Sequence, residues 1–74
     1  MILKFEAYHD GEFWCARALG ESMFTQGKTL DELTENIKEA VSLHFEEELE
    51  QGKTIPVLFF SELEVTHATE TAAS

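Results

Sequence analysis

Residues 25–54 read TQGKTLDELTENIKEAVSLHFEEELEQGKT, and the parsing of that stretch decides the fold. Gly27-Lys28-Thr29 and Gly52-Lys53-Thr54 invite a phosphate-loop reading. A Walker A loop also needs a glycine five residues before the Gly-Lys pair, and those places hold Ser22 and Glu47. Helix punctuation explains both copies better. Thr29 and Glu32 fit a capping box, in which each side chain bonds the other's free backbone N–H. Leu30, Leu33, Ile37, Ala40, Val41 and His44 then fall on one stripe at helical spacing, with Phe45 on its flank. Glu35, Asn36, Glu39, Glu46, Glu47 and Glu50 lie mostly off that stripe. Gly52 suits the position just past a helix end, Lys53 complements the negative end of the dipole, and Pro56 forbids continuation. One helix is predicted, entered at the first copy and left at the second.

Upstream, the first nineteen residues read as a hairpin. Asp10-Gly11 is a strong two-residue turn signal, since a type I′ turn needs positive φ at both central positions. Centred there, the register sets Tyr8 against Phe13, Ala7 against Trp14, Phe5 against Ala16 and Leu3 against Ala18. One face then carries Leu3, Phe5, Ala7, Trp14, Ala16 and Ala18, all apolar. A one-residue slip would scatter that set over both faces. The other face is mixed: Ile2, Lys4, Glu6, Tyr8, Phe13, Cys15, Arg17 and Leu19. Lys4 lies opposite Arg17, with Glu6 on the diagonal to offset the repulsion. This half-apolar face is the best candidate for a contact surface.

Gly20-Glu21 turns the chain into a short third strand, Ser22 to Gln26. After the helix, Val57 to Val65 reads as a strand rich in β-branched and aromatic residues. The predicted class is α+β in the order β-β-β-α-β: a three-stranded antiparallel meander, one helix, and a fourth strand. A right-handed crossover places that strand parallel beside the first. Residues 1–65 make one domain, and 66–74, THATETAAS, are expected to form a flexible tail with little to bury.

The chain has 74 residues, with five basic residues against fifteen acidic ones and a net charge of −10. That balance would repel a phosphate backbone and complements a basic protein partner, or serves solubility alone. So short a chain is marginally stable by itself, and Cys15 is its only cysteine, so no disulfide assists. A homo-oligomer or a partner is the expected source of further stability. The longest apolar run, Val57 to Phe60, is far short of a membrane span. With no signal-peptide pattern and one unpaired cysteine, a cytoplasmic protein is expected.

Catalytic constellations are sparse. His9, His44 and His67 show no metal-site spacing, and Cys15 has no CxxC partner. His44, on the helix stripe, reads as a partly buried side chain satisfied by a carbonyl or water rather than a base, having no nucleophile or orienting acid nearby in sequence. Ser22, Ser42 and Ser61 lack a nucleophile-elbow context. No enzyme activity, metal or cofactor is expected.

The stretch FWCARALGESMFTQGKTLDELTENIKEAVSLHFEE resembles the HicB family of antitoxins from type II toxin–antitoxin pairs. The shared elements are the aromatic-rich second strand, the small-residue turn, the Gln26-Gly27-Lys28-Thr29 helix entrance, and Leu30 through Val41 with Asn36, Ile37, Glu39 and Ala40. The likeness covers about residues 1–65 and is most specific in the helix. It implies a truncated ribonuclease H-like fold that is not a nuclease. Such a domain binds a small basic toxin that cleaves messenger RNA, a HicA-like ribonuclease, and covers the toxin's active-site histidine. Two departures stand out. Many members have an Asp-Leu-Pro-Gly-like turn where this chain has Ala18-Leu19-Gly20-Glu21. Many also carry a C-terminal DNA-binding domain, whereas only nine residues follow Val65 here, so no direct DNA binding is expected of this chain. Tyr8, Phe13, Arg17 and Leu19, rimmed by Glu6 and Glu12, are the expected contact residues, toward the toxin or within a homodimer. The alternative is a self-associating regulatory module without a toxin.

Overall fold

Thr29 Oγ1 accepts the Glu32 backbone N–H at 3.0 Å, and the helix starts where the capping residues place it. The return half of the box is displaced by one residue: Glu32 Oε1 accepts from the Lys28 N–H at 2.6 Å, not from Thr29. In the computed structural model, which describes residues 2–67, the elements are β1 (Leu3–His9), β2 (Trp14–Ala18), β3 (Phe24–Gly27), α1 (Leu30–His44), α2 (Glu46–Glu50) and β4 (Val57–Ser61). The sheet order is β3-β2-β1-β4, with β1 antiparallel to β2 and parallel to β4. The α+β class and strand order are those read from the sequence. No helix among the described residues is long and apolar enough to cross a membrane.

Four local expectations are corrected. The hairpin register is displaced by two residues: Phe5 faces Ala18, Glu6 faces Arg17, Ala7 faces Ala16, Tyr8 faces Cys15 and His9 faces Trp14. The cause is the turn. Gly11 has φ 103°, but among the described residues only glycines have positive φ, so Asp10 does not take part in a type I′ turn. Instead Asp10 Oδ1 accepts from the N–H groups of Glu12 and Phe13 at 2.9 and 2.7 Å, and the Asp10 N–H donates to the Phe13 carbonyl. Phe13 therefore belongs to the turn and does not face Tyr8. A slip of two preserves the faces, because side chains alternate with period two.

The helix also breaks, at Phe45, with φ −119° and ψ 39°. A continuous helix would crowd Glu46, Glu47, Glu48 and Glu50 at its negative end. Restarting at Glu46 puts three of them in the first turn of α2, where the dipole favours them, and lets Phe45 pack against the core. Gly52 ends α2 as expected: its N–H reaches the Leu49 carbonyl, and the Lys53 N–H reaches that of Glu48, the paired bonds of a Schellman motif. The third strand is Phe24–Gly27, shorter and later than expected, and the last strand stops at Ser61 rather than Val65. Of the expected tail, residues 68–74 lie outside the described residues.

The core is one layer between α1 and one face of the sheet: Leu3, Phe5, Ala7, Ala16, Ala18, Met23, Leu33, Ile37 and Val41, with Trp14, Phe45, Ile55 and Val57 at its margin. Phe5 and Leu33 are the largest fully buried side chains, each contributing about 1.5–3 kcal/mol by leaving water. The three alanines keep the sheet surface low, so the helix can lie close. Leu30, expected on the helix stripe, stays exposed, as does His44, whose Nε2 lies 3.5 Å from a Glu21 carboxylate oxygen.

Candidate functional site: the open face of the sheet

Because side chains alternate, each strand that gives one residue to the core gives its neighbour to the opposite face. Among the described residues, no layer covers that second face. Reading across the strands, one row runs Phe24, Arg17, Glu6 and Phe60; another runs Gln26, Cys15 and Tyr8. A third runs Leu19, Lys4 and Leu58, with the Leu19 N–H bonded to the Lys4 carbonyl at 2.8 Å. At the centre the Arg17 guanidinium meets the Glu6 carboxylate at 2.8 Å. Both groups are substantially exposed, so the pair adds about 0–1 kcal/mol to stability. Its effect is positional: two opposite charges are held in place with an exposed phenylalanine on either side. Glu6 faces Arg17 directly, not diagonally as the expected register had it.

Phe24 and Phe60 are 56% and 42% exposed, values that mark them as surface aromatics with no packing role at this face. With Tyr8, Leu19, Leu58 and Ile2 they make the face rich in large apolar groups, and such patches on soluble proteins mark contact sites. Toward the β4 side two adjoining grooves open, of about 190 and 420 Å³. Glu6, Phe60, Ser61 and Glu62 line the first; Glu6, Ala7, Tyr8, Glu62 and Glu64 line the second. The floor is aromatic and the rim is acidic.

Cys15 is the exception on this face, only 3% exposed. Its Sγ lies 3.6 Å from Asp10 Oδ2. Desolvation, and then the negative charge of Asp10, raise the thiol pKa above 9.0. Asp10 itself is held below 3.8 by the N–H groups of Phe13 and Glu12. The thiol is therefore kept protonated and poorly nucleophilic. No group of three or more His, Cys, Asp or Glu among the described residues is placed to hold a metal ion.

Of the expected contact residues, Glu6, Tyr8, Arg17 and Leu19 share the open face. Glu12 and Phe13 sit in the β1–β2 turn beyond its end, Glu12 exposed and Phe13 half-buried. Phe24, Leu58 and Phe60 belong to the face and were not singled out. Phe24 adjoins Met23, and only the start of the third strand decides which of the two points inward. Leu58-Phe59-Phe60 is apolar throughout, so alternation could not sort it.

The chain is 51% identical over 47 residues to a UPF0150 protein of Archaeoglobus fulgidus, a match spanning 64% of this chain and 68% of that protein. The chain belongs to the UPF0150 family. No family model matches it, and neither does any solved structure. The open face is thus a feature of this UPF0150 chain read from its own geometry.

Proposed function

We propose that this UPF0150 protein is an antitoxin-type binding protein, and that the open face of its sheet covers a small basic ribonuclease toxin. The carrying observation is the uncovered face itself, with the Arg17–Glu6 pair between Phe24 and Phe60 and an acidic groove beside it. UPF0150 includes HicB-like proteins, which agrees with the sequence resemblance. A net charge of −10 speeds encounter with a cationic partner and orients it. The exposed aromatics supply the desolvated centre that gives an interface its affinity. In this reading the domain acts by occlusion in the cytoplasm, with no catalysis or cofactor of its own, and its acidic surface keeps it from binding nucleic acid directly.

Affinity capture of the tagged protein from its native lysate, followed by mass spectrometry, is the first test. A small basic protein recovered in near-equal amount, whose toxicity the UPF0150 chain relieves on co-expression, is the expected result. Tyr8→Ser with Phe24→Ser should then weaken binding at least tenfold while the circular dichroism spectrum is kept. Full affinity in that double variant would remove the open face from the proposal. The second reading, a self-associating module without a toxin, is favoured by one observation, the bare edge of β4. Recovery of the bait alone would support that reading instead.

A further inference from the structure

The ladder between β1 and β4 is shorter than β1 itself. Pairing ends at Ala7 with Ser61, so Tyr8 and His9 have no partner in β4. Beyond Ser61 the chain leaves β1, and the groove of about 420 Å³ lined by Glu6, Ala7, Tyr8, Glu62 and Glu64 opens between them. The departing residues still alternate as a strand does. Glu62 and Glu64 share the parity of Leu58 and Phe60, on the open face; Leu63 shares that of Val57 and Phe59, on the helix side. Leu63 is nevertheless 80% exposed.

Apolar groups gather at the same end of the sheet. β3 and β4 run in one direction, so α1, which returns the chain between them, begins where β4 stops. Gly27, just before α1, pairs with Trp14, and Trp14 pairs with His9. The His9 and Trp14 rings meet edge to face, with centroids 5.1 Å apart. On α1, Thr34 and Lys38 border a notch of about 120 Å³ beside Val57 and Phe59. Leu30 lies one turn earlier on that line of the helix, and it is exposed. His9, Trp14 and Leu30 therefore stand level with the rung that follows Ala7 and Ser61.

We propose that residues 62–64 are a strap that lengthens β4 along the end of β1, and that repulsion between carboxylates holds it open. In the closed form the parallel register continues, with Glu62 beside Tyr8, Leu63 beside His9 and Glu64 beside Asp10. The Leu3 N–H donates to the Pro56 carbonyl. Stepping on by two residues at a time, the His9 N–H donates to the Glu62 carbonyl and the Glu64 N–H to the His9 carbonyl. Leu63 then leaves water against His9, Trp14 and Leu30. The same movement sets Glu62 and Glu64 in one strip with Glu6 and Asp10, and like charges on neighbouring strands oppose pairing. Arg17 is already held by Glu6 at 2.8 Å. Burial favours closure and charge opposes it, so neutralising the strip closes the strap. A cationic partner on the open face supplies that neutralisation; this last step rests on the function proposed above, and the strap itself does not.

Amide hydrogen exchange followed by NMR reads the closing rung. In the parent at low salt, the His9 and Glu64 amides should exchange nearly as fast as in an unstructured chain. In Glu62→Gln with Glu64→Gln, both should slow about tenfold or more, and the Leu63 methyl protons should show contacts to Leu30 and the Trp14 ring. Adding Leu63→Ser to that pair should abolish the protection. The Phe5 and Ala7 amides, which already belong to the ladder, should stay protected throughout and report an intact sheet. Fast exchange at His9 and Glu64 in the glutamine pair overturns the proposal. So does protection that survives Leu63→Ser, or protection already complete in the parent. A hexa-arginine peptide added to the parent tests the cationic step: slowed exchange at His9 and Glu64 supports it, and unchanged exchange removes that step while the result of the glutamine pair stands.

Discussion

Asp10 ties together the turn, the thiol and the pH response of the hairpin. Its carboxylate accepts the Phe13 and Glu12 N–H groups, and these bonds favour its charged form. A carboxylate with a depressed folded pKa contributes stability that is present above its unfolded value of about 3.8 and lost as pH falls through the lower folded value. For Cys15 the sign is reversed in effect: its raised pKa contributes stability below pH 9.0 that is lost as pH rises through the folded value. Asp10→Asn keeps an acceptor in the turn but removes the negative charge beside the sulfur. The thiol titration, followed by thiolate absorbance, should then move to lower pH and stay above 9.0, because desolvation is the larger cause. An unmoved midpoint would show that Asp10 does not act on the thiol. The Asp-Gly dipeptide announced a turn correctly. Its type was not legible, because an aspartate able to collect two N–H groups with its side chain competes with the two-residue turn.

At the scale of elements, the start of α1 was the most legible part of the chain, since capping and periodicity agreed there, whereas the expected stop at Gly52 closes α2 instead. The structure adds why Gly27 stands at its entrance. A Cβ there would lie 2.7 Å from the Leu33 nitrogen and 3.0 Å from the Glu32 carbonyl carbon, both backbone atoms that cannot swing away. Gly27→Ala should therefore cost about 1–3 kcal/mol by forcing the helix off the sheet, seen as a lower urea midpoint at unchanged slope. Lys28→Ala should stay within about 0.5 kcal/mol, as an exposed side chain away from the core. A phosphate loop would rank these residues otherwise, with the lysine critical for ligand. Equal stability of Gly27→Ala and the parent would mean that the close approach is not what fixes glycine here. The helix break at Phe45 was not read from the sequence, although the apolar stripe ends there and glutamates crowd the segment beyond it, EEELE, which buries no residue.

For the whole molecule, a single helical layer on one side of the sheet leaves the other side uncovered among the described residues, and the β4 edge is unpaired there too. The two contacts weighed under the proposed function, with a basic toxin and with a second copy, respond oppositely to salt. Copies that each carry −10 repel, so raising ionic strength from about 0.05 to 0.5 M shortens the screening length and should tighten the dimer. The same change should weaken binding of a cationic toxin and slow its association. Measuring both constants over that range checks the assignment of charge to one contact and apolar strand pairing to the other. A dimer that weakens with salt would point to an ionic interface elsewhere.

The sequence by itself determined the element order, the parity of each strand in the hairpin, the helix entrance and the acidic character. All of these follow from local chemistry: alternation, capping, turn residues and charge count. Only the tertiary structure decided which of Met23 and Phe24 enters the core, that Glu6 and Arg17 face each other, and that β4 stops at Ser61 with a bare edge. These depend on strand register and on which elements cover one another. Pairing partners far apart in sequence are fixed by burying one continuous apolar layer, which no short window of residues encodes.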